Sequence, residues 1–369
     1  MTPLERLIRT LIADGGPLPF SHYMDLALYH PEHGYYSTGA PRAGWAGDFV
    51  TSPELDPAFG QLWARGFERL WERCGRPDGF EVVEIGPGEG ALASAVLGAA
   101  AGDFADALTY RLVERSPRAA DRQRERLAHH PAVTWSSNGE YGPRLHAGCV
   151  FANEVLDNVP VDLVEGAADG SVRELRVGTG REGLVLVLEE PAEEVARWLD
   201  LHAPRVPRGH RLEVGRHRDD QALRWSEIIE MGALVLVDYG ASGEDLLRRP
   251  QGTLVSYSPA GADDLVLDSP GTRDITAHVN WTSVAAELGR AGLGIDEPRT
   301  QREALRTLGA GDVDASLREL YGRATAEGRG ADALRALSRR QGLGALLEPA
   351  GLGGLEVLTA VRGIPGDLW

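Results

Sequence analysis

The segment FEVVEIGPGEGALASAVLGAA, at positions 80–100, constrains the fold of this chain most strongly. Its first six residues form a short apolar run that is typical of a buried parallel strand. The alanine-rich part that begins at Ala91 predicts a helix, and Gly86, Gly88 and Gly90 form the turn between strand and helix. In doubly wound α/β folds, the glycine turn between a strand and the helix that follows it is the ligand-binding loop.

The composition of the loop distinguishes between possible ligands. A dinucleotide fingerprint reads G-x-G-x-x-G, whereas here the third glycine comes one residue early. Glu89 lies where a pyrophosphate would meet the helix N-terminus, and it disfavours a ligand with phosphate. All 38 basic residues of the chain are arginines, so a Walker-type loop, which needs lysine, is excluded. Glu84, at the end of the strand, suits a ligand that carries an ammonium group.

A second acid follows at the end of the next predicted strand, YRLVE at 110–114. Glu114 stands 24 residues beyond Gly90, and an acid at this place in doubly wound folds accepts hydrogen bonds from ribose hydroxyls. A nucleoside with an amino-acid tail satisfies both features, and S-adenosylmethionine is such a ligand. The alternative is a glycine turn and a strand-end acid in another kind of α/β protein.

Further strands and helices alternate along the chain and predict a doubly wound parallel sheet. The other predicted strands are a weak apolar run at 133–135 and stronger runs at 149–154 and 233–240. The predicted organisation has four segments: an N-terminal helical and irregular cap (1–75), the first part of the α/β core (76–160), an inserted β/α subdomain (161–231), and the remainder of the core with C-terminal helices and a last strand (232–369).

Charge and composition exclude several classes of function. The net charge of −17 over 369 residues argues against nucleic acid as a partner. No apolar run approaches 18 residues, so we expect no membrane-spanning helix. The N-terminal stretch reads as an amphipathic helix, not as a targeting signal, which makes the cytoplasm the expected location. Two cysteines and the absence of a Cys/His spacing pattern predict neither a disulfide framework nor a metal site.

Eight ordered blocks of the sequence resemble the MidA family of S-adenosylmethionine-dependent methyltransferases. These blocks are FSHYMDLALYHPEHGYYS, GDFVTSPELDPAFG, VEIGPGEG, VERS, ANEVLDNVP, VLVDYG, GTLVSYS and DITAHVNW. The resemblance runs from about residue 20 to residue 301 and resumes at the last strand. It implies a class I (Rossmann-like) methyltransferase fold with an inserted subdomain, S-adenosylmethionine as the cofactor, and methylation of a protein arginine at a guanidinium nitrogen.

The resemblance also assigns site residues. It places cofactor binding at Glu84, Gly86, Gly88, Gly90, Glu114 and Asn153, catalysis at Glu154 and Asp157, and the substrate-facing cap at Asp48, Ser52 and Glu54. Carboxylates three residues apart after a strand are suited to hold a guanidinium in a bidentate arrangement. Structural alternatives are that Asp157 caps the following turn with Glu154 in solvent, and that the block around Ser52 is only a turn and a capping box.

Departures from the family pattern concern the acceptor. Gly44-Trp45-Ala46, Val255 and Ala260 replace residues that are commonly basic, glycine or histidine in the family. Two other functions therefore stay open: a small-molecule N- or O-methyltransferase of secondary metabolism, and a cofactor-bound assembly factor without turnover. The acceptor is accordingly a protein or a small molecule.

Four further positions have mainly structural interpretations. His30 and His33 resemble a metal pair, but no third ligand is evident. We expect His278 to be a buried imidazole with its hydrogen bonds satisfied. Asp238, at the end of the fifth strand, is predicted either to line the pocket or to shape the strand-to-turn transition.

Overall fold

The computed structural model describes residues 1–37, 51–137, 141–258 and 261–365. The α-helices are α1 (Pro3–Gly15), α2 (Phe20–Tyr29), α3 (Ser52–Leu55), α4 (Ala58–Arg73), α5 (Ala91–Ala99), α6 (Gly102–Ala107), α7 (Pro117–Arg126), α8 (Glu193–His202), α9 (Arg216–Glu227), α10 (Gly243–Leu247), α11 (Trp281–Arg290), α12 (Gln301–Thr307), α13 (Ala310–Ala326) and α14 (Gly330–Leu346). Within this part of the chain, no helix combines the length and the apolar character that a membrane span needs.

The β-strands are shorter and more numerous. They are β1 (Leu18–Pro19), β2 (Phe80–Ile85), β3 (Leu108–Glu114), β4 (Val133–Ser137), β5 (Gly148–Asn153), β6 (Asp162–Gly166), β7 (Val172–Thr179), β8 (Leu184–Glu189), β9 (Arg211–Val214), β10 (Gly232–Asp238), β11 (Gly240–Ala241), β12 (Val255–Ser258), β13 (Gly261–Asp263), β14 (Asp274–Thr276), β15 (Val279–Asn280), β16 (Gly294–Ile295), β17 (Arg299–Thr300) and β18 (Glu356–Arg362).

The chain forms two compact units, each assembled from separate stretches. Counting only the residues that the structure describes, the sheet unit falls within Pro41–Asn153, Trp225–Val237 and Gly292–Trp369, and the insert unit within Met1–Ala40, Glu154–Arg224 and Asp238–Ala291. The four segments predicted from the sequence are continuous stretches, and that division stays a prediction.

The sheet unit is built on an eight-stranded sheet in the order β16-β18-β10-β5-β2-β3-β4, with β17 also paired to β18. The five strands predicted from the sequence lie side by side in it, and the pairs β10–β5, β5–β2, β2–β3 and β3–β4 are parallel. The chain leaves β2 for β3 on one side and later returns to β5 on the other. Ligands of open α/β sheets bind at the carboxyl ends of strands at such a switch point.

Apolar side chains on α4, α5 and the central strands explain why the sheet unit holds together. The fully buried aromatic residues Trp63, Phe67 and Phe151 pack against one another with ring centroids 4.7–6.0 Å apart. Rings that meet edge to face at such distances add to the stabilisation from buried area. The helix α4 therefore covers the sheet next to β5, the strand that leads to Asn153.

The insert unit contains an antiparallel sheet in the order β1-β7-β6-β9, with β8 also paired to β7. The predicted amphipathic helix forms as α1, which buries Leu4, Ile8 and Ile12 and begins at an N-cap in which the Thr2 side chain accepts from the Glu5 N–H. The N-terminal segment joins this sheet through β1, which pairs with β7. Residues 1–37 therefore share a core with the inserted strands.

Candidate functional site

The three glycines of the loop after β2 all have left-handed backbone conformations. Their φ angles are 63° at Gly86, 54° at Gly88 and 78° at Gly90, a region that favours glycine because it lacks a Cβ. A Cβ built on Gly88 would meet no atom within 4 Å, and the residue is exposed. The loop therefore presents bare backbone to its surroundings, which fits a ligand that approaches the main chain closely.

Glu84 lies inside the sheet unit and not on the surface of the loop. Its side chain is buried, and its Oε2 accepts a hydrogen bond from the Tyr110 hydroxyl at 2.8 Å. Burial is the main cause that raises the pKa of Glu84 to about 8; the hydrogen bonds from Tyr110 and from the Ala93 N–H act in the opposite direction. The carboxyl thus links β2 to β3 and to the first turn of α5.

Glu114 is half-buried at the end of β3, and three groups donate hydrogen bonds to it: the backbone N–H groups of Arg115 and Ser116 and the side chain of Gln123. Its Oε1 accepts from the Ser116 N–H at 2.7 Å, and its Oε2 accepts from Gln123 Nε2 at 3.1 Å. Burial raises the pKa of Glu114. Gln123 Nε2 also donates to the Gly88 carbonyl at 2.8 Å, so one buried amide connects the glycine loop to the acid. Sequence inspection missed Gln123, because nothing in the polar helix α7 marks it as buried.

Glu89, the loop residue that disfavours a phosphate ligand, pairs with Arg122 on α7, the helix that also carries Gln123. Arg122 Nε and Nη2 donate to its two carboxylate oxygens at 2.7 and 2.8 Å, a bidentate pair. Its charge is therefore compensated by the protein. The loop keeps a paired acid at the N-terminal side of α5, where a diphosphate ligand would need free donors.

Asn153 is the half-buried last residue of β5, and Glu154 follows it at the start of the insert unit. Glu154 has φ 55°, a conformation that non-glycine residues adopt rarely and that is often found at functional sites. The turn is shaped from the end of β10: Asp238 Oδ2 accepts hydrogen bonds at 2.8–3.2 Å from three consecutive backbone N–H groups, those of Val155, Leu156 and Asp157. The strained turn is thus held by a buried carboxylate.

The Asp157 side chain points into a buried polar region. Only 6% of the residue is exposed, and its Oδ1 has no hydrogen-bond partner among the described residues. Burial, followed by the nearby acids Asp238 and Asp274, raises the pKa of Asp157 well above its usual range. Asp157 is not the cap of the turn, because Asp238 performs that role.

Arg218, on α9, is the cation next to these acids, and sequence inspection missed it as well. The residue is 1% exposed, and its guanidinium donates to the backbone carbonyls of Asp157, Val159 and His278 at 2.6, 3.1 and 2.8 Å. Burial lowers the pKa of Arg218, and the surrounding acids oppose this effect. Arg218 therefore fastens the turn that carries Asp157 to the segment before β15.

A hydroxyl and an amide complete the polar region. The Tyr36 hydroxyl lies 3.0 Å from Asn158 Oδ1 and 3.1 Å from both carboxylate oxygens of Asp274, while Asn158 Nδ2 donates to Asp274 Oδ1 at 2.9 Å. Tyr29 stacks on Tyr36 with ring centroids 5.7 Å apart. Tyr29 and Tyr36 therefore both belong to the insert unit.

Two more rings flank the acids. Tyr239 is 39% exposed, and burial followed by the negative charge of Glu154 raises its pKa. The ring of His278 lies 6.4 Å from that of Tyr239, and its buried Nδ1 has no hydrogen-bond partner in the part of the chain that the structure describes. The expectation of a fully satisfied imidazole is therefore wrong. Burial lowers the pKa of His278 to about 4, so the ring is neutral at physiological pH.

The cap residues have partners of their own in the sheet unit. Asp48 lies outside the described residues. Ser52 is buried, with its Oγ donating to Gln301 Oε1 at 3.0 Å, and Glu54 Oε1 accepts from Arg126 Nη1 at 2.9 Å. The capping box does not form, because the Thr51 side chain makes no capping hydrogen bond to α3.

His30 and His33, the pair that resembles metal ligands, contact each other and the local backbone. The His30 and His33 rings stack 5.2 Å apart, and His30 Nδ1 accepts from two backbone N–H groups. Among residues 1–37, 51–137, 141–258 and 261–365, no three His, Cys, Asp or Glu side chains are arranged to hold a metal ion.

Comparison with known proteins gives consistent matches. The model of a family described as "Putative S-adenosyl-L-methionine-dependent methyltransferase" matches residues 62–298. A crystal structure from Burkholderia thailandensis, determined with bound S-adenosyl-homocysteine, is 30% identical and superposes with a TM-score of 0.86, covering 99% of this chain and 93% of the other.

Curated relatives carry a more specific name. The protein arginine methyltransferase NDUFAF7 homolog of Drosophila melanogaster is 29% identical over 76% of this chain and 69% of its own length. The Xenopus laevis protein arginine methyltransferase NDUFAF7 is 28% identical over 84% of this chain and 74% of its own length. Both are named as mitochondrial proteins, which contradicts the expected cytoplasmic location. That expectation relied on the lack of a targeting signal, and such a lack does not determine a location.

Proposed function

The chain belongs to the family of S-adenosyl-L-methionine-dependent methyltransferases, and we propose that it methylates a guanidinium nitrogen of a protein arginine. Membership confirms the resemblance to the MidA family, the class I methyltransferase fold, S-adenosylmethionine as the cofactor and methyl transfer as the reaction. The choice of arginine is supported by the names of the curated relatives. It is also supported by the chemistry of the acids after β5.

The residues at the carboxyl ends of β2 and β3 fit the cofactor. The exposed backbone at Gly86 and Gly88 leaves room for it. Glu114 accepts from Ser116, Gln123 and the Arg115 N–H and keeps acceptor capacity for a ribose hydroxyl. Gly90 and Asn153 complete this set. Glu84 acts from inside by fixing α5 to the sheet. S-adenosylmethionine, when bound, supplies an electrophilic methyl group on a sulfonium.

The observation that carries the arginine proposal is the unpartnered Oδ1 of the buried Asp157. A buried carboxylate without a donor is costly, and a guanidinium supplies both the missing donors and the compensating charge. Glu154, three residues earlier on a strained turn, provides the second carboxylate. Tyr239 offers an aromatic face, which is favourable next to a cation. The insert unit therefore provides acids and an aromatic ring for a cationic side chain.

Methyl transfer to such a side chain depends mainly on binding and orientation. Glu154 and Asp157 would bind the guanidinium and orient one of its nitrogens, and S-adenosylmethionine would supply the methyl group. The cap residues Ser52 and Glu54 have partners in the protein, which connect α3 to α12 and α7, and their contact with substrate stays a prediction. Asp48 stays a predicted substrate residue.

The test replaces Glu154 with glutamine. The variant keeps the shape of the side chain but removes one partner of a desolvated charge pair, which costs about 2–5 kcal/mol, or roughly 30- to 5,000-fold in turnover. The exposed Glu244→Gln, also in the insert unit, is the matched control and should turn over like the wild type. S-adenosyl-homocysteine affinity should stay nearly unchanged in both variants.

The assay incubates each protein with a cell lysate and methyl-labelled cofactor, then separates protein from small molecules. Methylarginine in protein with the wild type and Glu244→Gln, but little with Glu154→Gln, supports the proposal. Label only among small molecules would replace it with a small-molecule methyltransferase. Tight cofactor binding without any label would favour an assembly factor without turnover.

A further inference from the structure

Asp157 and Asp238 are neighbouring buried carboxyls with very different hydrogen bonding. Asp238 is 1% exposed and accepts four backbone N–H groups: three on Oδ2, described above, and that of Tyr239 on Oδ1 at 2.8 Å. Such an arrangement suits an ionised carboxylate, which only accepts, and it leaves no favourable position for a proton. The hydrogen bonds therefore keep the negative charge on Asp238.

Asp157 is in the opposite situation. Its buried Oδ1 has no donor among the described residues, so ionisation there gains no hydrogen bond in return for the loss of water. The groups around it are mostly acidic or neutral. Asp238 faces it from β10, Asp274 from β14 and Arg218 from α9, Glu154 precedes it on its own turn, and the hydroxyls of Tyr36, Tyr239 and Tyr257 lie nearby.

Arg218 does not neutralise Asp157 by direct pairing. Its guanidinium donates to three backbone carbonyls, those of Asp157, Val159 and His278. Its charge acts on Asp157 and Asp238 together, and Asp238 is the one with donors to stabilise its ionised form. The acids Asp157 and Asp238 near one cation, with Asp274 and Glu154 close by, leave an excess of negative charge, which a proton on Asp157 reduces.

We infer that Asp157 carries a proton in the acceptor-free protein and releases it to solvent when a guanidinium binds, so that acceptor binding and loss of one proton are linked. This inference rests on the proposed function. The O–H bond of the carboxyl breaks, the proton leaves to water, and the positive guanidinium replaces it beside the resulting carboxylate. Charge in the buried region is the same before and after.

The linkage has a measurable consequence. As long as the solution pH is below the pKa that Asp157 has in the acceptor-free protein, each unit of decrease in pH lowers acceptor affinity by up to about tenfold. A neutral acceptor of the same shape would not show this dependence, because it does not require the ionised carboxylate.

The experiment is titration calorimetry of the full chain saturated with S-adenosyl-homocysteine, with N-acetyl-arginine amide as the probe. The same titration in buffers of different ionisation enthalpy gives the number of protons released per probe bound. We expect about one for the wild type and close to zero for Asp157→Asn. Asp219→Asn is the matched control. Asp219 is also a buried acid with a raised pKa, but its carboxylate accepts hydrogen bonds from Trp198 and Ser283. The Asp219→Asn variant should still release about one proton per probe bound.

The outcomes separate the two claims. Binding of the probe without proton release would overturn the linkage and leave the arginine proposal standing, whereas no binding at any pH would overturn both. The site of the proton is tested independently by infrared difference spectra of wild type and Asp157→Asn without acceptor. A protonated carboxyl band present only in the wild type at neutral pH supports the inference, and its absence refutes it.

Discussion

Glu84→Gln isolates the contribution of one buried carboxyl beneath the glycine loop. Glu84 is 4% exposed and its carboxyl is bonded to Tyr110, and its pKa of about 8 compares with 4.5 for an ordinary glutamate. The folded protein therefore retains a proton that the unfolded chain loses above about pH 4.5. The free energy of unfolding should fall as pH rises from about 4.5 to 8, because the unfolded state binds fewer protons than the folded state in that range.

The size of the effect follows from the shift. At about 1.4 kcal/mol for each unit, Glu84 should lower the free energy of unfolding by roughly 4 kcal/mol between about pH 5 and pH 9. Glutamine has nearly the shape of the protonated side chain but does not ionise in this range. The difference in stability between Glu84→Gln and wild type should therefore change by that amount in favour of the variant.

Urea unfolding at several pH values measures this difference, since other titrating groups contribute equally to both proteins. Glu72→Gln, a partly exposed glutamate of the same unit, should follow the wild type. Parallel pH curves for wild type and Glu84→Gln would refute the reasoning. S-adenosyl-homocysteine affinity adds a second criterion: it should change little at neutral pH in Glu84→Gln, whereas a direct ionic contact to the ammonium group would make it fall sharply.

Two further substitutions test the loop and the turn. Gly88→Val should lower the free energy of unfolding by about 1–3 kcal/mol, because φ is 54° there, but the protein should still fold since the new side chain points into open space. It should abolish S-adenosyl-homocysteine binding in calorimetry; normal affinity would contradict the role of the loop. Arg218→Met should lower the free energy of unfolding by about 3–5 kcal/mol and move the acid limb of the methyl-transfer pH profile to higher pH. Arg218→Lys should leave that limb in place, and an unmoved limb in Arg218→Met would reduce Arg218 to a structural residue.

The elements of the sheet unit were predictable because their signals are local. The apolar run before Gly86 and the alanine-rich stretch after Gly90 each determine one element by composition alone, and both form as expected. Glu84 shows the limit of such reasoning. Its position at a strand end was visible in the sequence, but its burial against Tyr110 depends on a strand 26 residues away. Its contact with the cofactor stays a prediction.

The site residues that sequence inspection missed all act across long sequence separations. Gln123 reaches Gly88 over 35 residues, and Arg218 reaches the turn of Asp157 over 61. Neither carries a motif, because a buried polar side chain in a polar helix has the same composition as an exposed one. Only the three-dimensional arrangement shows which donors remain for a ligand after the protein has satisfied its own carbonyls.

Asp157 and Asp238, both in the insert unit, show that backbone geometry distinguishes the roles of two acids that composition does not distinguish. Asp238 was expected either to line the pocket or to shape the turn, and Asp157 either to act or to cap. The N–H groups of residues 155–157 converge on Asp238, which therefore holds the turn and keeps its charge. Because those donors are used, Asp157 is left buried with an unpartnered oxygen, for which we propose a cationic ligand as the partner.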